Sequence, residues 1–171
     1  MKIQVGGLSD GVHPYSFRIT PDELGLPPEF PDEVEIKATL EKTSRQLLLK
    51  ASVATTAEVP CDRCVAPVRR PLGSRYQMHY VWEESEAERV DPSEVQVILP
   101  GQTVIDMADD VRQTVLLSFP LKNVCREDCR GLCSQCGKNL NEGSCDCREP
   151  LVDGRWDKLK TLQDNNSKQA G

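Results

Sequence analysis

The sequence predicts an α+β fold: an antiparallel β-meander, or a small barrel-like sheet, closed by one main helix and followed by a cysteine-rich C-terminal lobe. Three observations point there. Apolar residues alternate with polar ones over 34–40, 47–55 and 72–82, the period of a half-buried strand. The period lengthens to helical spacing after Thr103. Beyond Pro120 the chain is rich in cysteine and poor in apolar side chains.

The elements follow in order. Val34, Ile36, Ala38 and Leu40, then Leu47, Leu49, Ala51, Val53 and Thr55, flank the polar break 41–45 and form a hairpin. Leu72, Tyr76, Met78, Tyr80 and Trp82 share one face of a third strand, so a meander with one buried face results, its aromatic rings assigned to the core. Residues 83–91 read as an exposed acidic loop and 94–99 as a short strand ended by Pro100-Gly101. Ile105, Ala108, Val111, Val115 and Phe119 lie at helical spacing, with Asp106, Asp109 and Asp110 favouring the helix start and Pro120 stopping it.

Residues 121–147 hold only Leu121, Val124, Leu132 and Leu140 as large apolar side chains, too few to fold by burial. The domain division is therefore a β-rich domain with closing helix over 1–120, a lobe over 121–162 and a disordered tail over 163–171, with Trp156 as the residue that anchors the chain after the lobe.

Composition narrows the function. With 171 residues, 38% hydrophobic and 28% charged, the chain can bury one core. It has neither a signal-like N-terminus nor an apolar run long enough to span a membrane, so a cytoplasmic location is expected, where eight cysteines stay reduced. A net charge of -6 argues against coating nucleic acid by bulk electrostatics. The charge is segregated, however: over 60–80 four arginines against Asp62 leave +3, and over 81–95 six carboxylates against Arg89 leave -5. His13 and His79 are isolated, no glycine-rich phosphate loop or nucleophile elbow is present, and neither catalysis nor a small-molecule substrate is expected.

The cysteines carry the chemistry. Cys133-Ser-Gln-Cys136-Gly137 presents two sulfurs from one tight turn, and Cys145-Asp-Cys147 supplies two more after a turn-rich loop. Four thiolates match the tetrahedral preference of zinc and leave no open position for a reacting water, so a structural zinc site is expected. Cys61-Asp-Arg-Cys64 lies between two strands and Cys125-x3-Cys129 follows the helix. These four would make a second site bridging sheet to lobe if the helix returns Cys125 to the sheet end. The alternative exchanges Cys125 or Cys129 into the first site. The Cys129-x3-Cys133-x2-Cys136 spacing also matches a radical-enzyme cluster, but the chain is too short for the barrel such enzymes need. A thioredoxin-like Cys-x-x-Cys would want a βαβ context that is missing.

The run Cys125-x3-Cys129-Arg-Gly-Leu-Cys133-x2-Cys136-Gly-x-Asn139-Leu-Asn141, closing on Cys145-x-Cys147, resembles the signature of the YceD family, the large ribosomal RNA subunit accumulation proteins. Cys61-Asp-Arg63-Cys64 resembles that family's second mark. The order of elements agrees too, so the resemblance spans about residues 10 to 162. It implies a role in accumulation or processing of 23S ribosomal RNA, by binding that RNA or a ribosomal protein, and brings no catalytic activity. On that reading Arg63, Arg69, Arg70 and Arg75 are the candidate phosphate contacts. The lobe itself has no net charge before metal, so contact there would fall to Asn139 or Asn141, or to a partner protein. The alternative is an adaptor whose acidic loop, 83–94, engages a basic ribosomal protein.

Overall fold

The computed structural model describes residues 1–88 and 90–147; Trp156 and the tail 163–171 lie outside the described residues. Among the described residues, seven strands form two sheets. The smaller pairs β1 (Lys2–Gln4) antiparallel with β7 (Val104–Asp106). The larger has five strands in the order β2-β3-β4-β5-β6: β2 (Gly11–Ile19), β3 (Val34–Lys42), β4 (Gln46–Pro60), β5 (Pro67–Val81) and β6 (Val95–Val97). The helices are α1 (Glu84–Ala87) and α2 (Ala108–Leu117).

The expected hairpin is β3 and β4, in register from Glu35 opposite Ala54 to Lys42 opposite Leu47. Because opposed residues share a face, Ile36 with Val53 and Leu40 with Leu49 and Met78 build one apolar surface, on which Val111 and Val115 of α2 are buried. The segment 20–33 closes one end, sending Leu24, Leu26 and Phe30 into the core, where Phe30 meets Phe119 edge-on with centroids 6.3 Å apart.

Several expectations need correction. Strand β2 was missed: His13, Tyr15, Phe17 and Ile19 alternate inward, but Pro14 interrupts the pattern, as a sheet edge allows. The sheet is open, since β2 and β6 end it on opposite sides and do not pair, so it is not a barrel among the described residues. Nor is it a pure meander, because β6 runs parallel to β5, with His79 opposite Val95 and Val81 opposite Val97. Ile105 belongs to β7, opposite Ile3, and not to the helix; its three-residue spacing to Ala108 mimics a helical period. Trp82 falls just past β5 and is 41% exposed, whereas Tyr80 and Val81 are both buried. Part of the acidic stretch, expected as loop, folds as α1.

Asp110, in the first turn of α2, is half-buried, and burial, with Asp109 and Asp106 nearby, pushes its carboxyl above the usual carboxylate range. A raised folded-state pKa means that the group favours folding only when protonated, a contribution lost as pH rises through the carboxylate range. Asp110→Asn should therefore raise stability at pH 7, by less than about 1 kcal/mol after solvent screening, and the gain should vanish below roughly pH 4. Urea melts at the two pH values check this.

Candidate metal centres

The turn joining β4 to β5 is a cysteine knuckle. Pro60 and Pro67 end the ladder, and between them Cys61 N donates to Ala66 O at 2.8 Å and Val65 N to Cys61 O at 2.9 Å. This backbone path requires a positive φ after the second cysteine, and Val65 takes φ 62° there. In the second knuckle, Cys133 to Cys136, the equivalent position is Gly137 at φ 72°. Glycine adopts that conformation freely, whereas a β-branched residue is strained in it.

The chain leaving α2 returns to this turn, the condition that the second cysteine site required. Asp62 and Asn123 clasp each other: Asp62 N donates to Asn123 O at 2.8 Å, and Asn123 N donates back to the Asp62 carboxylate. Asn123 is 3% exposed, its amide donating to Pro60 O at 3.0 Å and accepting from Arg70 Nε at 3.0 Å. Arg70 also donates to Val124 O at 2.6 Å.

This clasp brings Cys61, Cys64, Cys125 and Cys129 together, their four Sγ atoms within 4.8 Å of one another. Cys61 Sγ lies 3.9 Å from Cys129 Sγ, and Cys64 Sγ lies 3.7 Å from Cys125 Sγ. A disulfide needs about 2.05 Å, whereas four thiolates at about 2.3 Å from one zinc ion stand about 3.8 Å apart. The cluster thus has the dimensions of a metal cage. N–H groups also point at the sulfurs: the backbone N of Arg63 and of Cys125 reach Cys61 Sγ at 3.4 and 3.3 Å, and the Asn141 side-chain Nδ2 reaches Cys129 Sγ at 3.4 Å.

The second group, Cys133, Cys136, Cys145 and Cys147, also has its four Sγ atoms within 4.8 Å of one another. Its loop is closed by Cys133 N to Lys138 O at 2.8 Å, Leu140 N to Gly131 O at 2.9 Å and Lys138 Nζ to Ser144 O at 2.6 Å. The structure therefore pairs the cysteines as the first of the two expected groupings has them, without exchange between the sites.

Electrostatics argue for a cation in each. Burial opposes ionisation of Cys61, yet the N–H groups of Cys64, Arg63 and Cys125 bring its thiol down to about 6. N–H groups of Cys136 and Gln135 bring Cys133 down to about 6 as well. Their neighbours move the other way: Cys125 is pushed up to about 12 by burial and by the adjacent sulfurs, and Cys147 to about 12 chiefly by Cys136. In the first cluster Cys61 and Cys129 are held below the ordinary thiol range while Cys64 and Cys125 are pushed above it, so the charge on the sulfurs already ionised resists the rest. Four together need a divalent cation, which each cluster has the ligands to hold.

The four arginines divide. Arg63 donates to Cys129 O at 2.8 Å and Glu127 O at 3.1 Å, and its own carbonyl accepts from Leu132 N at 3.0 Å. There Gly131, at φ 75°, passes so close that a Cβ would lie 3.0 Å from Arg63 O. Arg70 holds the clasp. Arg69 pairs with Asp32 at 2.6 Å and Glu58 at 3.8 Å. Arg75 has no carboxylate or carbonyl partner among the described residues. The asparagines also work internally: Asn141 Oδ1 accepts from Arg130 N and Arg126, each at 2.9 Å, and Asn139 donates to Glu142 at 2.7 Å. Sequence reasoning missed Asn123 and Asp62; an apolar-poor stretch beginning with an asparagine was the available signal.

A family model described as "Large ribosomal RNA subunit accumulation protein YceD" matches residues 49–163. An uncharacterized protein of Mycobacterium tuberculosis is 30% identical over 127 residues, covering 74% of this chain and 60% of that protein. The "Large ribosomal RNA subunit accumulation protein YCED homolog 1, chloroplastic" of Arabidopsis thaliana is 24% identical over 179 positions, 90% of this chain and 55% of that one. Its Zea mays counterpart is 24% identical over 162, with 79% and 55% covered. The chain thus spans about 60% or less of the length of the curated relatives it matches. No solved structure matches it significantly.

Val65 is 62% exposed, so its side chain contributes little packing to offset the strain. Val65→Gly should stabilise the protein by about 1 kcal/mol, the relief of the left-handed conformation exceeding the extra chain entropy glycine brings. A lower urea midpoint for the variant would show that the turn tolerates valine without strain.

Proposed function

Because the chain belongs to the YceD family of large ribosomal RNA subunit accumulation proteins, we propose that it supports accumulation of large-subunit ribosomal RNA in ribosome biogenesis, as a non-catalytic factor that binds that RNA. The observation that carries the reading is the family match over 49–163, which takes in both cysteine clusters from Cys61 to Cys147. The two clusters hold zinc: Cys61, Cys64, Cys125 and Cys129 one ion, and Cys133, Cys136, Cys145 and Cys147 the other. Closed tetrathiolate sites fix structure rather than activate a substrate, so their role is to fold the lobe against the sheet. Thiols kept reduced in both clusters favour a cytoplasmic site of action; no helix among the described residues is long and apolar enough to cross a membrane.

Among the arginines, Arg75 keeps its guanidinium for a phosphate, Arg69 shares its own with Asp32 and Glu58, and Arg63 and Arg70 serve lobe carbonyls first. A second reading rests on the exposed Glu83, Glu84 and Glu88 around α1: an adaptor that engages a basic ribosomal protein through this acidic segment.

Elemental analysis of the purified protein should find two zinc ions per chain. Cys61→Ser should remove one ion and lower amide-exchange protection across 121–130, whereas Cys133→Ser should remove one and spare that segment. In cells, ultraviolet crosslinking followed by sequencing should enrich large-subunit ribosomal RNA. A ribosomal protein recovered after nuclease treatment, with no RNA enriched, would replace RNA binding with the adaptor.

A further inference from the structure

The face of the five-stranded sheet turned away from α2 takes no part in the core or in either cysteine cluster. Opposed residues share a face, so two rows cross it side by side: Ser16, Lys37, Ser52 and Arg75, then Pro14, Thr39, Lys50 and Gln77. Lys50 is paired with Glu41 at 2.8 Å, and Gln77 donates to Glu94 at 2.8 Å. Lys37 and Arg75 have no anionic partner among the described residues, although they stand in a chain with a net charge of -6. Two strand spacings separate them, about 10 Å between Cα atoms. What lies between is short: Ser52 in the same row, with Ala54 and Gly73 in the next. The result is a shallow depression whose lining includes Lys37, Lys50, Ser52, Arg75 and Gln77, with Tyr76 and the Glu94 carboxylate, the latter taken by Gln77, also on its wall.

Two unpaired cations on either side of a small hydroxyl residue suit an anion that approaches the strand backbone closely. Neither row contains an aromatic ring, so the surface offers charge and hydrogen bonds to a phosphodiester and no platform for stacked bases. We propose that this outer sheet face seats the sugar–phosphate backbone of a folded RNA, with Lys37 and Arg75 as the principal phosphate contacts. The inference rests on the RNA-binding reading above and places the contact away from the cysteine lobe. Recognition there follows the shape and charge of the RNA more than its sequence.

The test is filter binding of the zinc-loaded full chain to a transcript of large-subunit ribosomal RNA over a range of salt. Wild type is compared with Lys37→Glu, Arg75→Glu and, as a charge-matched control on the opposite side, Arg112→Glu of α2. Each sheet-face reversal should weaken binding about tenfold more than the control and reduce the slope of log affinity against log salt by about 1. Zinc content, read for every variant, establishes that each is folded. If wild type binds and all three variants weaken equally, the sheet face is not the contact, but RNA binding stands. If wild type shows no salt-dependent binding, the RNA-binding reading itself falls, and this inference with it.

Discussion

The described chain beyond Pro120 depends on one convergence of sulfur. Cys61 and Cys64 come from the turn between the two longest strands, and Cys125 and Cys129 from the segment after the helix, yet their sulfurs lie within 4.8 Å of one another. A stretch with so few apolar side chains cannot fix its position by burial. The clasp of Asp62, Asn123 and Arg70 aligns the backbone, and the cluster then closes it. Arg63 sits inside the turn and bonds to carbonyls on the other side of the cluster, so the same four-residue turn supplies two sulfurs and a guanidinium brace. The second cluster is joined to the first through Gly131 and Asn141.

This arrangement redistributes charge. Residues 121–147 carry no net charge, and a zinc ion held by four thiolates would add -2 at each cluster. Arg63 and Arg70 are occupied by carbonyls, which removes them from the set most open to an outside phosphate. Among the described residues, Lys37 and Arg75, which have no anionic partner, are on the strands, where the helix covers only one face. Cysteine lobe and sheet face are therefore suited to different tasks, one to hold the fold and the other to meet a partner.

The hairpin of β3 and β4, strand β5, helix α2 and both cysteine pairs with two-residue spacing were legible because each is a local pattern: a period of two, a period of 3.6, or a turn that presents two sulfurs. What was not legible is non-local or interrupted. β1 and β7 are three residues each and pair across about a hundred residues of chain. The alternation of β2 is broken by Pro14. The parallel β6 reads no differently in sequence from an antiparallel strand, since direction is a property of the connection. Val65 gave no sign of its strain, because a valine after a cysteine pair does not announce a positive φ.

By itself the sequence determined that residues 121–147 hold too few large apolar side chains to form a core, and that the cysteines come as four pairs with the spacings of metal ligands. Only the tertiary structure decided which pair meets which, that the sheet is open with one face bare, and that Arg63 and Arg70 are taken by backbone carbonyls while Lys37 and Arg75 are not. The reason is physical. Spacing along the chain sets what one turn can present, but partners some sixty residues apart meet only where the sheet and helix bring their backbones together.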